Sequence, residues 1–142
     1  MTLFFLLCIF FTPVSPTETD TTLSDETDRF ELTVIAEKIR NDNGHIIIEL
    51  SDHGGIARAA GKAVIEGDRA ELTFKNLTPG EWAVRLFHDE NDNEIFDTNF
   101  LRIPREGYGF SNNVRGRFGP PPFEDRLFEV RGDTTISVML IY

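Results

Sequence analysis

The chain has 142 residues, of which 40% are hydrophobic and 27% are charged, a composition typical of one globular domain. Its formal net charge of −10 argues against binding to phosphate backbones or anionic lipid surfaces, because both attract basic proteins. We therefore expect no nucleic-acid partner, whereas a divalent cation or a cationic partner is compatible with the excess of carboxylates.

The amino-terminal segment differs from the rest of the chain. Leu3–Phe11 is an apolar run, much shorter than the roughly 20 residues that a membrane-spanning helix needs, so we expect no integral membrane span. We interpret residues 1–16 as a secretory signal peptide, with a buried amino-terminal strand as the alternative, and residues 17–28 as an acidic linker. This interpretation predicts that the protein is exported to the periplasm or the extracellular space.

Residues 29–142 show the period-two alternation of β-strands. Phe30, Leu32 and Val34 alternate with polar residues, and after a turn at Asn41–Gly44 a second run alternates in the same way. The pattern predicts about seven strands, near residues 30–36, 45–50, 62–65, 69–75, 81–88, 127–130 and 134–141. Residues 54–61 are the only possible short helix. We predict an all-β domain, a single antiparallel β-sandwich of immunoglobulin-like or transthyretin-like type.

One long segment, Thr98–Asp125, interrupts the strand pattern. It is rich in glycine and proline, and we predict a long loop. Its aromatic residues indicate a loop that packs on the body of the domain: Phe100, Tyr108, Phe110, Phe118 and Phe123.

The strongest chemical pattern is the run Asp89–Asp97. Ca²⁺ binds six to eight oxygens, and loop positions 1, 3, 5 and 9 can supply side-chain oxygens while position 7 supplies a carbonyl. The predicted ligands in this order are Asp89, Asn91, Asn93, Asp97 and the carbonyl of Ile95. The run differs from an EF-hand, because Glu94 replaces the glycine at position 6 and Phe100 replaces the glutamate at position 12. We expect a weak, structural Ca²⁺ site, with a set of Asx turns as the alternative.

Further candidates lie beside this loop. We predict a possible ligand-facing surface formed by His88, Glu106, Tyr108, Phe110, Ser111 and Asn112. His88 falls on the same strand face as Trp82, which favours a core or rim histidine over a metal ligand. Tyr108 and Phe110 either anchor the loop or face a ligand, and anchoring is the favoured reading.

Clustered carboxylates raise an enzymatic alternative. Glu106, Glu124 and Asp125 join Asp89 and Asp97 near one end of the predicted sandwich, as in the acid pair of a carbohydrate-active hydrolase. Motifs for a nucleophilic serine, a phosphate loop or a dinucleotide are missing from the sequence, so we predict that the protein is not an enzyme.

Four segments between Leu77 and Val130 form a distinctive pattern: Pro79–Ala83, Phe87–Asn91 with Asn93 and Asp97, Ile103–Asn112 and Pro122–Asp125. This pattern resembles a bacterial family of exported proteins known as domain of unknown function 2141. It implies an exported β-sandwich, similar in outline to transthyretin-like and carboxypeptidase-regulatory-like modules, without an assigned activity or ligand. Glu94, Arg102 and Arg126 depart from the family pattern.

The sequence thus favours a non-catalytic binding or envelope-structural module with a calcium-type loop. Its expected partner is a protein or a glycan at the cell envelope.

Overall fold

Residues 28–142 form two β-sheets that pack face to face in the computed structural model, as predicted for an all-β sandwich. The predicted signal peptide and residues 17–27 of the predicted linker lie outside the described residues. The nine strands are β1 (Phe30–Glu37), β2 (His45–Asp52), β3 (Ala57–Ala63), β4 (Ile65–Glu66), β5 (Arg69–Leu77), β6 (Gly80–Asp89), β7 (Tyr108–Phe110), β8 (Phe128–Val130) and β9 (Thr134–Met139).

The first sheet has the strand order β4-β5-β1-β9, and the second has the order β3-β2-β6-β7. Strand β8 also pairs with β6, next to β7 along the strand. The sandwich is antiparallel, as predicted, at every strand pair but one, because β1 and β9 run parallel. Parallel strands need a long connection, and here the connection between β1 and β9 contains the strands β2 to β8.

The core lies between the two sheets and is built from alternate residues of each strand. Ile46, Ile48 and Leu50 of β2 are fully buried, as are Leu32 and Val34 of β1. Strand β6 contributes Trp82, Val84 and Leu86 to the same interior. Its other residues, including Arg85 and Phe87, therefore lie on the outer face of the second sheet.

The possible helix at residues 54–61 was wrong, since Ala57–Ala63 is strand β3. Its sequence, Ala-Arg-Ala-Ala-Gly-Lys-Ala, lacks the large apolar residues that mark a strand. Small residues are needed there because the opposite sheet is close: a Cβ on Gly61 would lie 2.7 Å from Leu72 Cδ2. The strand predicted at 62–65 corresponds to the end of β3 and the short β4.

The prediction that Thr98–Asp125 is a loop without regular structure was also wrong in part. Tyr108–Phe110 forms β7, and a bridge between Thr98 and Pro104 closes a small hairpin. Tyr108 also exchanges two backbone hydrogen bonds with Ile141, of 2.9 and 2.8 Å. Because Ile141 follows β9, these bonds join the edge of the second sheet to the first.

Only part of this segment packs on the domain. Tyr108, Phe110 and Phe123 are half-buried, whereas Phe100 is 92% exposed and Phe118 is 95% exposed. Between residues 28 and 142, no helix has the length and apolar character to cross a membrane.

Candidate functional site

The Asp89–Asp97 loop begins on the last residue of β6. Asp89 is fully buried, and its carboxylate accepts the backbone N–H groups of Asn93 (3.0 Å, to Oδ1) and Glu94 (2.9 Å, to Oδ2). Glu94 adopts a positive φ of 61°, the left-handed conformation that glycine normally supplies at position 6 of a calcium loop. The chain therefore makes the sharp turn at this position in spite of the missing glycine.

Two asparagine side chains of the loop converge on Asp97. The side-chain amides of Asn91 (2.7 Å) and Asn93 (3.2 Å) both donate to Asp97 Oδ2. Their own oxygens accept backbone N–H groups within the loop, from Asn93 and Ile95 respectively, and so form Asx turns. Four of the five predicted metal ligands thus belong to one hydrogen-bonded cluster, and the fifth, Ile95, takes part through its N–H and carries an exposed side chain.

Glu106 fixes the two ends of the loop. Its carboxylate is 5% exposed, with Oε1 accepting the N–H of Glu90 (3.1 Å) and Oε2 accepting the N–H of Asp97 (3.0 Å). Backbone N–H donors stabilise a buried carboxylate. Glu106 therefore holds the loop closed at its base, and its side chain does not face solvent.

The donor set suits a hard cation such as Ca²⁺ only with a rearrangement. An oxygen that accepts one N–H keeps a second lone pair, so the Asx-turn oxygens of Asn91 and Asn93 can still ligate. Asp97 Oδ2 would have to exchange its two amide donors for the ion. Within the described part of the chain, His, Cys, Asp and Glu do not gather in any group of three that could hold a metal. A site here would depend on two carboxylates, two amides and the Ile95 carbonyl.

The carboxylates of the hydrolase alternative are dispersed over different environments. Asp89 and Glu106 are buried and accept backbone N–H groups, while Glu124 and Asp125 are exposed on a single 3₁₀ turn, Glu124–Arg126.

His88 lies in the core with both ring nitrogens hydrogen-bonded. Nε2 is 2.7 Å from the carbonyl oxygen of Asn43, which can only accept, so Nε2 carries the proton. Nδ1 is hydrogen-bonded to the Tyr142 hydroxyl at 2.8 Å, and that hydroxyl accepts the N–H of Arg40 at 3.2 Å. Burial raises the pKa of Tyr142. The imidazole thus links the turn before β2 to the end of the described chain.

Ser111 and Asn112 have structural contacts. Ser111 is fully buried; its Oγ accepts the N–H of Val84 (3.0 Å) and donates to the carbonyl of Arg126. Asn112 is exposed, yet its side-chain amide donates to the carbonyls of Asp125 (3.0 Å) and Leu127 (2.8 Å). Both residues hold the segment before β8 against the second sheet.

The remaining two candidates form an aromatic surface. Tyr108 pairs with Phe87 and Phe110 pairs with Arg85, so their side chains lie on the outer face of the second sheet. Phe96, from the Asp89–Asp97 loop, packs between Phe87 and Tyr108 with ring centroids 5.4 and 5.8 Å away. The ring centroids of Tyr108 and Phe110 are 6.0 Å apart. We call these four residues, Phe87, Phe96, Tyr108 and Phe110, the aromatic face.

Sequence reasoning missed a cleft beside the aromatic face. It has a volume of about 200 Å³, and its lining includes Glu49, Ser51, Arg85, Phe123 and Arg126. The guanidinium of Arg126 lies 4.4 Å from the ring centroid of Phe110. Burial and the neighbouring charge of Arg85 lower the pKa of Arg126. These residues come from separate elements, and no local sequence pattern connects them.

The fold and the loop together define a small all-β sandwich domain with an Asx-turn loop, Asp89–Asp97, after its longest strand. The sequence model of the family described as "uncharacterized protein conserved in bacteria (DUF2141)" matches residues 34–137, and the chain belongs to this family. No curated protein and no solved structure matches the chain.

Proposed function

We propose that this domain is a non-catalytic binding module exported to the bacterial cell envelope, in which a structural Ca²⁺ orders the Asp89–Asp97 loop beside the aromatic face. The observation that carries the proposal is the position of Phe96. It belongs to the loop, and its ring lies between Phe87 and Tyr108 on the outer face of the sheet. Whatever orders the loop therefore also orders this surface.

Several contacts support a role for a cation at this loop. Asp89 and Asp97 bring two negative charges to opposite ends of a nine-residue segment, and two amide side chains bridge toward Asp97. A divalent ion would neutralise these charges while using the carbonyl of Ile95. The left-handed turn at Glu94 supports a loop already shaped for such an ion.

A binding role is supported by the exposure of the aromatic face. Phe87, Tyr108 and Phe110 are half-buried, and Phe96 is 37% exposed. Aromatic rings on an outer sheet face offer a large contact area with little loss of side-chain entropy on binding. The buried carboxylates of Asp89 and Glu106 each accept two backbone N–H groups, which supports a binding module over a hydrolase.

The test is thermal unfolding with increasing Ca²⁺. A site with Kd of about 10⁻⁴–10⁻³ M should stabilise the domain by roughly 1.4–2.7 kcal/mol at about 10 mM Ca²⁺. We expect the Tm to rise saturably in the wild type and the rise to be mostly lost in Asp97→Asn.

Asp92→Asn is the matched control. Asp92 lies in the same loop and is exposed, and its carboxylate pairs with His45, outside the cluster around Asp97. It removes the same charge and should keep the Ca²⁺ response. Mg²⁺ at equal concentration controls for general screening of the acidic surface. A Tm that does not respond to Ca²⁺, or an equal response in Asp97→Asn and Asp92→Asn, would overturn the calcium part of the proposal.

Export is tested separately by expressing the full chain with and without residues 1–16 and measuring its amount in periplasmic and culture-medium fractions. The proposal expects export to depend on these residues, and equal export without them would contradict it.

A further inference from the structure

The cleft beside the aromatic face, on the outer face of the second sheet, contains two arginines, Arg85 and Arg126. Arg85 of β6 donates to Glu49 Oε2 at 2.9 Å, so its charge is partly balanced. Arg126 forms no ion pair with any carboxylate of residues 28–142. Arg126 is half-buried beside Arg85, so two arginines share this cleft with a single lining carboxylate, that of Glu49.

Arg126 is held in a fixed orientation. Its Nε and Nη2 donate to the carbonyl of Pro121, and its guanidinium carbon lies 4.4 Å from the ring centroid of Phe110 and 5.8 Å from that of Phe123. A guanidinium has five N–H donors, so three remain after these two hydrogen bonds. A fixed planar group with free donors is suited to a carboxylate, which it can bind in a bidentate manner.

The other walls of the cleft offer different chemistry. Phe123 provides an aromatic wall, and Gly55, whose Cβ position would be 3.7 Å from the Phe123 ring, lies beside it. Ser51 and Glu49 provide a hydroxyl and a carboxylate that can hydrogen-bond to hydroxyl groups of a ligand. A volume of about 200 Å³ lies below the roughly 300–1,000 Å³ of most ligand pockets, which favours a single small unit over a peptide segment.

We propose that this cleft binds a carboxylate-bearing sugar unit, a hexuronic acid residue of an envelope glycan, with Arg126 and Arg85 on the carboxylate and Phe123 against the ring. This inference names the ligand class of the proposed binding module and rests on that proposal, but it does not require Ca²⁺. A free monosaccharide of this size should bind weakly, with Kd of about 1 mM.

The experiment is an NMR titration of the ¹⁵N-labelled domain with galacturonate, glucose, acetate and a short aspartate-rich peptide. We expect saturable shifts at cleft residues with galacturonate and at least about 10-fold weaker binding of the other three, since a charge-assisted hydrogen bond and the ring contact both contribute. Equal binding of glucose or of acetate would overturn the proposal, and so would equal binding of the peptide.

Three variants locate the site. Arg126→Gln and Arg85→Gln should each weaken galacturonate binding about 10-fold. Arg69→Gln removes the same charge from β5 in the other sheet and should change Kd less than about twofold. If Arg126→Gln does not fold, Arg85→Gln provides the test by itself. An equal loss in Arg69→Gln, or no loss in Arg85→Gln, would overturn the assignment.

The titration is run both in EDTA and in Ca²⁺, so that the two proposals fail separately. Galacturonate binding in EDTA supports the cleft even where the Tm shows no Ca²⁺ response. A Ca²⁺ response without galacturonate binding overturns the cleft alone.

Discussion

Glu106→Gln tests the closed base of the Asp89–Asp97 loop. In the wild type the buried carboxylate accepts two backbone N–H groups, from Glu90 and Asp97. Glutamine keeps one acceptor oxygen but places an NH₂ group against the other N–H. A hydrogen bond to a charged group contributes about 1.5–3 kcal/mol, and a buried N–H without an acceptor costs about 1–3 kcal/mol. We expect the free energy of unfolding to fall by about 2–4 kcal/mol.

The assay is urea unfolding, with the free energy obtained from the midpoint at an unchanged m-value. Hydrogen exchange should show faster exchange of the Glu90 and Asp97 amides in the variant. Glu94→Gln is the control, because Glu94 is exposed and its partner Lys62 is also on the surface. It should change the stability by less than about 0.5 kcal/mol. If Glu106→Gln also changes the free energy of unfolding by less than about 0.5 kcal/mol, the reasoning is refuted.

Three further predictions concern the framework around the site. Ser111→Ala leaves the buried N–H of Val84 without its acceptor, and we expect a loss of about 1–3 kcal/mol in thermal unfolding; Ser137→Ala, on an exposed position of β9, should be nearly neutral. Gly109→Ala would place a Cβ 2.8 Å from Val138 Cγ1, and this overpacking should lower the stability by about 1–3 kcal/mol; a Tm equal to that of the wild type would contradict the close approach. The third prediction concerns the pH dependence of stability. Burial raises the pKa of Glu90, but hydrogen bonds from Asn41 and Arg40 outweigh the effect of burial and lower this pKa. Because the pKa of Glu90 is lower in the folded state, its ionised carboxylate stabilises the domain at pH values above the ordinary pKa of glutamate. This contribution is lost as the pH falls through the pKa of the folded state. Glu90→Gln should therefore be less stable than the wild type at pH 7, by about 1 kcal/mol, and the difference should disappear in acid; a difference independent of pH would contradict it.

The strands with large alternating residues could be predicted from the sequence. In β2 and β6, apolar side chains at every second position are buried, and the burial pattern reproduces the alternation of Ile46, Ile48 and Leu50. These strands lie in the middle of the second sheet, where one face is covered by the other sheet. Period-two alternation is a reliable signal under this condition.

The two edge strands of the second sheet, β3 and β7, could not be predicted in the same way. Strand β3 consists mainly of small and charged residues, and nothing in its own sequence shows that Leu72 from the other sheet approaches Gly61. Strand β7 has glycine at its centre because Val138 lies directly against it. In both cases the cause is a contact between distant segments, which a local pattern does not contain.

The candidate site shows the same division. Spacing alone indicated that Asp89, Asn91, Asn93 and Asp97 belong together, because a short loop brings its own side chains together. By contrast, the contact of Phe96 with Phe87 and Tyr108 depends on the folded sheet, as does the cleft that contains Arg85 and Arg126. The sequence could identify the loop but not the surface beside it.

The most direct test of the central claim is an NMR titration of the ¹⁵N-labelled domain with Ca²⁺. The account predicts saturable shifts at millimolar Ca²⁺ in the side-chain amides of Asn91 and Asn93, because they must release Asp97 Oδ2, together with a shift of the Phe96 ring. Small, unsaturated shifts spread evenly over the acidic surface, with these two amides unchanged, would contradict it.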